Sequence, residues 1–241
     1  MMQAFYSGSV TAQQQMQRLG VTGNNIANVN TNGFKAQNGS FDSLLYTMVE
    51  GADGQLPRSS GARLISAATD FSGADLQETG RPQDYAIVGE GFFALRDCAS
   101  GELSYTRDGA FTPAAFREAD ETGVTQEIWY LSDGEGRQVL DGAGQPIPVT
   151  DPAACYPVGV FEIQYRDGME RVGSSRFLAS AKNGGIFPGA SEVRQGMLES
   201  SNTDLAAEMG KVIEAQRAYG MALRVVSTAD EIAATVNGLT T

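Results

Sequence analysis

The chain of 241 residues is 41% hydrophobic and 19% charged, a balance typical of folded proteins. Its formal net charge of −12 disfavours binding to nucleic acid or to anionic lipid, because both need clustered basic residues. Histidine, the commonest general base and metal ligand, is absent. The composition therefore predicts no catalytic site, no metal and no cofactor.

Long helices are predicted only at the two ends of the chain. All eight prolines lie between Pro57 and Pro188, and proline interrupts the interior of a helix. No run of about 18 apolar residues predicts a membrane span. The first ten residues lack the basic segment and apolar stretch of a secretory signal. We therefore expect a chain that is not embedded in a membrane and has no cleaved signal.

The N-terminal segment carries apolar and small residues in alternating steps of three and four, the pattern of a heptad seam. The predicted helix should end in an asparagine-rich stretch, since asparagine competes for backbone hydrogen bonds and tolerates left-handed turns. We expect Asn24, Asn28, Asn32 and Gly33 to shape the chain reversal that follows. The seam positions are Met2, Phe5, Ser9, Ala12, Met16, Leu19, Gly23 and Ile26.

The middle of the chain has the pattern of an antiparallel β domain and carries most of the negative charge. Trp129 lies in one of its strand-like runs, so we expect this side chain in the core. Asp-Gly or Asn-Gly pairs, which favour hairpin turns, occur at 108–109, 133–134, 141–142, 167–168 and 183–184. The strand-like runs are 85–88, 92–95, 128–131, 158–165 and 176–179.

Two features of this middle part suggest sites but have simpler explanations. The acidic, glycine-rich stretches that begin at Asp133 and Asp141 lack the spacing and closing glutamate of a calcium loop. Hairpin turns explain them better. Cys98 and Cys155 form no metal-binding pattern; they are either two thiols or, in an oxidising compartment, one disulfide.

The C-terminal segment predicts a second helix, from about residue 203 to residue 236, on the order of 50 Å long at 1.5 Å per residue. Ser201, Asn202 and Thr203 are candidate N-caps, and Asp204 adds a negative charge near the positive end of the helix. The heptad positions of this helix are Leu205, Met209, Val212, Gln216, Tyr219, Leu223 and Val226.

The predicted fold class is α+β: long N- and C-terminal helices that pair as a coiled coil, with a central antiparallel β-rich domain. The predicted divisions are 1–35 for the first helix and turn, 36–80 for an extended linker, 81–196 for the β domain and 197–241 for the second helix. Periodicity alone leaves two possibilities open, because an amphipathic helix can pack on its own domain or on another molecule.

Several stretches of the chain carry motifs beyond these patterns. They are NNIANVNTNGFK at 24–35, GEGFF at 89–93, YTRDGAF at 105–111, GMLESSN at 196–202, EAQRAY at 214–219 and TADE at 228–231. Together they span nearly the whole chain, and they resemble the bacterial flagellar rod and hook proteins. Within that family the C-terminal motifs are most similar to those of the distal rod members.

The resemblance implies a non-enzymatic subunit of the flagellar basal body, exported uncleaved through the flagellar type III channel. Such subunits pair their terminal helices in the wall of a helical tube that transmits motor torque to the hook. The implied partners are further copies of the chain, other rod and hook subunits, and the rings around the rod where the host has an outer membrane. The assembly contacts would be Phe5, Met16, Leu19, Ile26, Leu205, Met209, Val212, Gln216, Tyr219, Leu223 and Val226.

Two alternatives remain at this point. Within the same class, the chain could be a proximal rod or hook subunit. In a different class, it could be a secreted β-domain module for binding or adhesion, in which the acidic surface matters and the helical ends are dispensable.

Overall fold

The computed structural model describes residues 2–43, 46–51, 54–59, 62–119, 125–151 and 153–239. Within these residues there are two α-helices, α1 (Met2–Ala27) and α2 (Leu205–Leu239), and seventeen strands whose pairings are all antiparallel. The prediction of an α+β fold with a helix at each end and an antiparallel β-rich middle is confirmed.

The chain forms two compact units. The first, which we call the helical unit, comprises Met1–Ala27, Gln37–Asp70 and Thr203–Thr241. It holds both helices and two antiparallel strand pairs: β1 (Gln37–Ser43) with β4 (Ala62–Thr69), and β2 (Tyr46–Gly51) with β3 (Gly54–Ser59). The second, which we call the β unit, comprises Asn28–Ala36 and Phe71–Asn202.

The β unit is built around an antiparallel sheet in which the order of the strands differs from their order in the chain. Its strands are β5 (Leu76–Glu78), β6 (Tyr85–Val88), β7 (Phe92–Arg96), β8 (Leu103–Thr106), β9 (Thr112–Ala119), β10 (Thr125–Ser132), β11 (Gln138–Val139), β12 (Val160–Ile163), β13 (Glu170–Gly173), β14 (Arg176–Leu178), β15 (Ile186–Pro188), β16 (Glu192–Gln195) and β17 (Met197–Glu199). The main path runs β13-β14-β8-β7-β11-β10-β9, while β12 joins β7 to β15. Two further pairs, β16 with β6 and β17 with β5, lie outside that sheet.

Strand β7 is the centre of the core because it is covered on both faces. Phe93 and Leu95 point into one buried cluster, and Phe92 and Ala94, which alternate with them, point into the other. A strand whose first four residues are all apolar suits such a place, since both of its faces exclude water there. The strand predictions for β6, β7, β10, β12 and β14 are confirmed to within a few residues at each end.

Two details differ from the sequence interpretation. Trp129 is 52% exposed instead of buried, because the same face of β10 enters the buried core cluster only at Leu131, two residues further along the strand. The N-cap of α2 is Asp204, whose Oδ1 accepts hydrogen bonds from the amides of Ala206 (2.9 Å) and Ala207 (3.2 Å).

Candidate assembly surface

Helices α1 and α2 pack against each other along a seam of small residues. On α2 the buried positions include Ala215, Ala222 and Ala229, spaced seven residues apart. On α1, Ala12 is buried, and a Cβ atom added at Gly8 would lie 2.9 Å from Cγ2 of Val226. Small residues at these positions let the two helix backbones approach closely, with little apolar area buried between them.

The helix residues predicted as assembly contacts divide into two groups. Leu19 and Ile26 of α1 are half-buried, as are Val212, Tyr219 and Val226 of α2. The remaining predicted side chains are exposed; they are Phe5, Met16, Leu205, Met209, Gln216 and Leu223.

The exposed group on α2 is explained by a difference of one residue between the predicted row and the buried row. The buried row of α2 lies one residue before the predicted row, so that Glu208, Ala215 and Ala222 take the places expected for Met209, Gln216 and Leu223. The repeated alanine was visible in the sequence, but the larger apolar residues beside it defined the predicted stripe. As contacts in an assembly, the predicted residues remain a prediction.

Large apolar side chains are therefore left on the outside of the helix pair. Exposed fractions reach 63% at Met16, 61% at Met221 and 66% at Tyr6. Many large apolar side chains exposed on one pair of helices are typical of a surface that packs against other protein. Its members are Phe5, Tyr6, Met16, Leu205, Met209, Ile213, Met221, Leu223, Val225, Ile232, Val236 and Leu239, and we call this set the apolar helix surface.

One end of the seam is polar and joins the helices to β1. The Asn25 side chain donates to the carbonyl oxygen of Gln37 and accepts from its amide, both at 2.9 Å. Lys211 Nζ donates to Oε1 of the buried Glu208 at 2.7 Å, and Arg18 pairs with Glu214 at 3.0 Å. Asn25 belongs to the asparagine-rich motif, but its role as a clamp on β1 could not be read from the motif alone.

The residues expected to shape the chain after α1 have distinct environments. Asn24 is exposed; Asn28 and Asn32 are half-buried. The side-chain oxygen of Asn28 accepts from Thr31 Oγ1 at 3.2 Å. Gly33 is buried with φ +63°, and a Cβ atom there would overlap the backbone of Arg107 and Asp108. Only glycine fits this position without displacing that backbone.

Beside Gly33, the β unit buries a group of three charged side chains, which we call the clasp: Lys35, Arg107 and Glu199. Lys35 Nζ lies 2.7 Å from Glu199 Oε1, and Arg107 Nη1 lies 3.1 Å from Glu199 Oε2. All three side chains are at most 3% exposed. Burying such charges is costly unless each is paired and hydrogen-bonded.

Backbone groups add further hydrogen bonds to the clasp. Lys35 Nζ donates to the carbonyl oxygen of Ser72 at 2.6 Å, and Arg107 Nη2 donates to that of Gly89 at 2.8 Å. The amide of Ala74 donates to Glu199 Oε1 at 3.0 Å. The clasp thus joins three of the sequence motifs, which carry Lys35, Arg107 and Glu199.

The backbone on either side of the clasp is also connected. The Gly33 amide donates to the carbonyl oxygen of Glu199 at 2.7 Å, and the Ala36 amide donates to Asn202 Oδ1 at 2.7 Å. Arg171 covers this region: its guanidinium lies 4.8 Å from the centre of the Phe34 ring, and burial lowers the pKa of Arg171.

Outside the clasp, two carboxyl groups have pKa values that are shifted in opposite directions. Hydrogen bonds from Arg137 and Ser174 lower the pKa of Glu135 to about 2, whereas burial raises the pKa of Asp108. Asp141 Oδ1 accepts from the amides of Ala143 and Gln145, so its glycine-rich stretch is the hairpin turn that the sequence predicts.

In the part of the chain that the structure describes, no group of three acidic or thiol side chains is arranged to hold a metal ion. Cys98 and Cys155 are both exposed thiols and form no disulfide. Neither of the two helices has the length and hydropathy of a membrane span over its described residues.

Comparison with known proteins agrees with the motifs. Residues 5–35 match the family model for the flagella basal body rod protein, and residues 194–239 match that for the C-terminal part of the flagellar basal body rod FlgEFG proteins. The chain is 30% identical to flagellar basal-body rod protein FlgG of Caulobacter vibrioides, over 96% of this chain and 97% of that protein.

Two other relatives cover similar shares. FlgG of Bacillus subtilis is 29% identical over 96% of this chain and 97% of its own length. Flagellar basal-body rod protein FlgF of Escherichia coli is 29% identical over 98% of this chain and 97% of its own length. The chain therefore belongs to the flagellar basal-body rod protein family.

Proposed function

We propose that this protein is a structural subunit of the bacterial flagellar basal-body rod, in its distal part, with no catalytic role. The relatives named FlgG and the match of both ends to rod families support this assignment. The observation that carries this assignment is the apolar helix surface. Most of α1 lies in the matched residues 5–35, and α2 lies in the matched residues 194–239.

In this function the two helices pair as a coiled coil. The seven-residue repeat of Ala215, Ala222 and Ala229 supports such pairing, since it keeps one narrow stripe of α2 against its partner. The seam leaves the larger apolar residues for contacts with other molecules. The predicted assembly contacts, from Phe5 to Val226, then act between subunits or at the edge of the seam.

The partners that we propose are further copies of the chain, other rod and hook subunits, and rings around the rod where the host has an outer membrane. A surface that binds a different patch on the next copy builds an open helix when the rotation between copies does not close into a ring. Such a helix is the form that a rod requires. The subunit reaches it by export through the flagellar channel, and torque passes along the finished tube to the hook.

An experiment on the apolar helix surface tests this function. Met209→Glu with Leu223→Glu places two charges on exposed apolar positions, which the folded monomer tolerates but a packed interface does not. In a strain that lacks its own copy of the gene, the double variant should be produced but should not restore rods or swimming.

The matched control is Met209→Leu with Leu223→Met, which keeps both positions apolar and should restore swimming. Far-ultraviolet circular dichroism of the purified proteins establishes that both variants are folded. Normal rods and normal swimming with the glutamate variant would refute the proposed role of this surface. Imaging a tagged copy in isolated basal bodies separates a distal from a proximal position.

A further inference from the structure

The chain passes between its two units four times. The passages lie at residues 27–28, 36–37, 70–71 and 202–203. The force that the chain itself carries from the helical unit to the β unit runs through these four passages. How firmly their ends are held within the β unit therefore determines how that force is distributed.

Within the β unit, the segments next to all four passages meet at the clasp. Residues 28–36 lie between the first two passages and contribute Lys35 to the clasp. The third passage leads into Ser72 and Ala74, which bond to Lys35 Nζ and Glu199 Oε1 respectively. The fourth follows Asn202, three residues after Glu199.

Direct bonds also link these segments to one another. The amide of Asn202 donates to the carbonyl oxygen of Phe34 at 3.3 Å, and its side-chain nitrogen lies 3.2 Å from Ser72 Oγ. The amide of Ser200 donates to the carbonyl oxygen of Asp75 at 2.9 Å. The three segments are thus joined pairwise, and Glu199 contacts each of the other two.

We propose that the clasp is a mechanical joint, in which Glu199 holds the four chain passages together so that the β unit receives force from them as one body. The force in question is the torque of the flagellum, so this role depends on the proposed function. The joint itself depends only on the contacts of the β unit. Glu199 acts as a positioning residue: it is the anion that both Lys35 and Arg107 contact.

Hydrogen exchange of the purified full chain tests whether the joint opens as a unit. Glu199→Gln keeps the size of the side chain but leaves two buried cations beside a neutral amide. We expect the amides of Gly33, Ala74, Ser200 and Asn202 to exchange at least tenfold faster, and all by a similar factor. The amides of Phe93 and Leu131 in the core should still exchange more slowly than these four, because the clasp opens without unfolding the core.

The matched control is Glu127→Gln, which removes the same charge from the exposed ion pair between Arg117 and Glu127. It should leave all of these rates unchanged. If Glu199→Gln prevents folding, Lys35→Met replaces it, because this variant retains the Arg107–Glu199 pair while releasing Ser72. The proposal of a joint would be overturned if only the amide of Ala74 exchanged faster, or if the exchange rates of the other three amides changed by unequal factors.

The mechanical role is tested in swimming cells that carry Lys35→Met, with Glu127→Gln as the control. Swimming speed is measured while the viscosity of the medium, and so the torque on the rod, is increased. We expect the Lys35 variant to lose at least twice as large a fraction of its speed as the control at the highest viscosity. Identical curves would contradict the mechanical role.

The two tests fail separately. If the unaltered chain does not restore rods in the deletion strain, the proposed function is wrong, and the exchange experiment still decides whether the clasp opens as one unit. If rods form but the amides open independently, the function stands and the joint does not.

Discussion

Lys35 and Glu199 are 164 residues apart in the sequence, yet Nζ of one lies 2.7 Å from Oε1 of the other in the interior of the β unit. Each belongs to a motif that flanks a terminal helix. The motifs beside the two helices are therefore held to each other by a buried ion pair, and the third member, Arg107, comes from a motif in the middle of the chain.

The first prediction concerns the stability of the clasp. Glu199→Gln should lower the free energy of unfolding by about 3–5 kcal/mol, since it leaves two buried cations without an anion. Lys35→Met should cost less, because the remaining Arg107 and Glu199 still balance each other. Urea denaturation of the purified chain measures both losses of free energy. Equal losses, or a larger loss for Lys35→Met, would contradict this balance of charges.

Gly33 gives the second prediction. Gly33→Ala forces a left-handed residue, at about 1–2 kcal/mol, and in addition pushes a Cβ atom into the backbone of Arg107 and Asp108. Gly80 has a similar φ of +68° but open space around it, so Gly80→Ala isolates the conformational cost. The melting temperature should fall clearly further for Gly33→Ala. Equal losses for the two variants would mean that the overlap has no cost.

The third prediction concerns the seam between the helices. Gly8→Val adds two methyl groups beyond a Cβ atom that would already be 2.9 Å from Val226 and 3.3 Å from the carbonyl oxygen of Ala222. We expect the helices to separate and the helical signal in circular dichroism to melt at a lower temperature. Gly20→Ala is the control, because nothing lies near that position and alanine favours a helix over glycine by about 1 kcal/mol. It should raise the melting temperature.

The fourth prediction is a dependence of stability on pH. The pKa of Glu135 falls from 4.5 to about 2 on folding, so its stabilising effect is present above pH 4.5 and is lost as the pH falls towards 2. Because this side chain is 48% exposed, solvent screening limits the effect to about 1 kcal/mol. Glu135→Gln should remove that part of the acid transition, measured by urea denaturation between pH 2 and pH 7.

Asp108 has the opposite sign and serves as a comparison. Burial raises its pKa above 3.8, so the folded state binds this proton more tightly than the unfolded state. Its contribution to stability is therefore greatest below pH 3.8 and is lost as the pH rises through the folded pKa. Asp108→Asn should reduce the loss of unfolding free energy that occurs as the pH rises above 3.8. A variant that loses stability only at low pH would contradict the raised pKa of Asp108.

Much of the fold follows from local patterns. Proline placement and the heptad spacing predicted α1 and α2. Strand-like runs between turn signals predicted β6, β7 and β14, and alternating apolar residues predicted β12. Each of these signals depends on near neighbours in the sequence. The turn at Asp141 was predictable for the same reason.

The clasp and the true seam were not predictable in this way. A lysine in an asparagine-rich motif gives no local sign that it will be buried beside Glu199, since that depends on how distant segments meet. The heptad pattern does not single out Ala215 and Ala222, because an amphipathic stripe is normally recognised by its larger residues. The structure reverses that assignment: small residues form the seam, and Met209 and Leu223 remain outside.

In the proposed function, the exposed helix surface builds a flagellar rod. Electron cryomicroscopy of basal bodies from a deletion strain that carries a tagged copy of this chain tests this directly. We expect tagged subunits in the distal part of the rod, with side chains such as Met209 and Leu223 packed against neighbouring molecules. Tagged subunits outside the rod, or a rod in which these side chains face solvent, would contradict it.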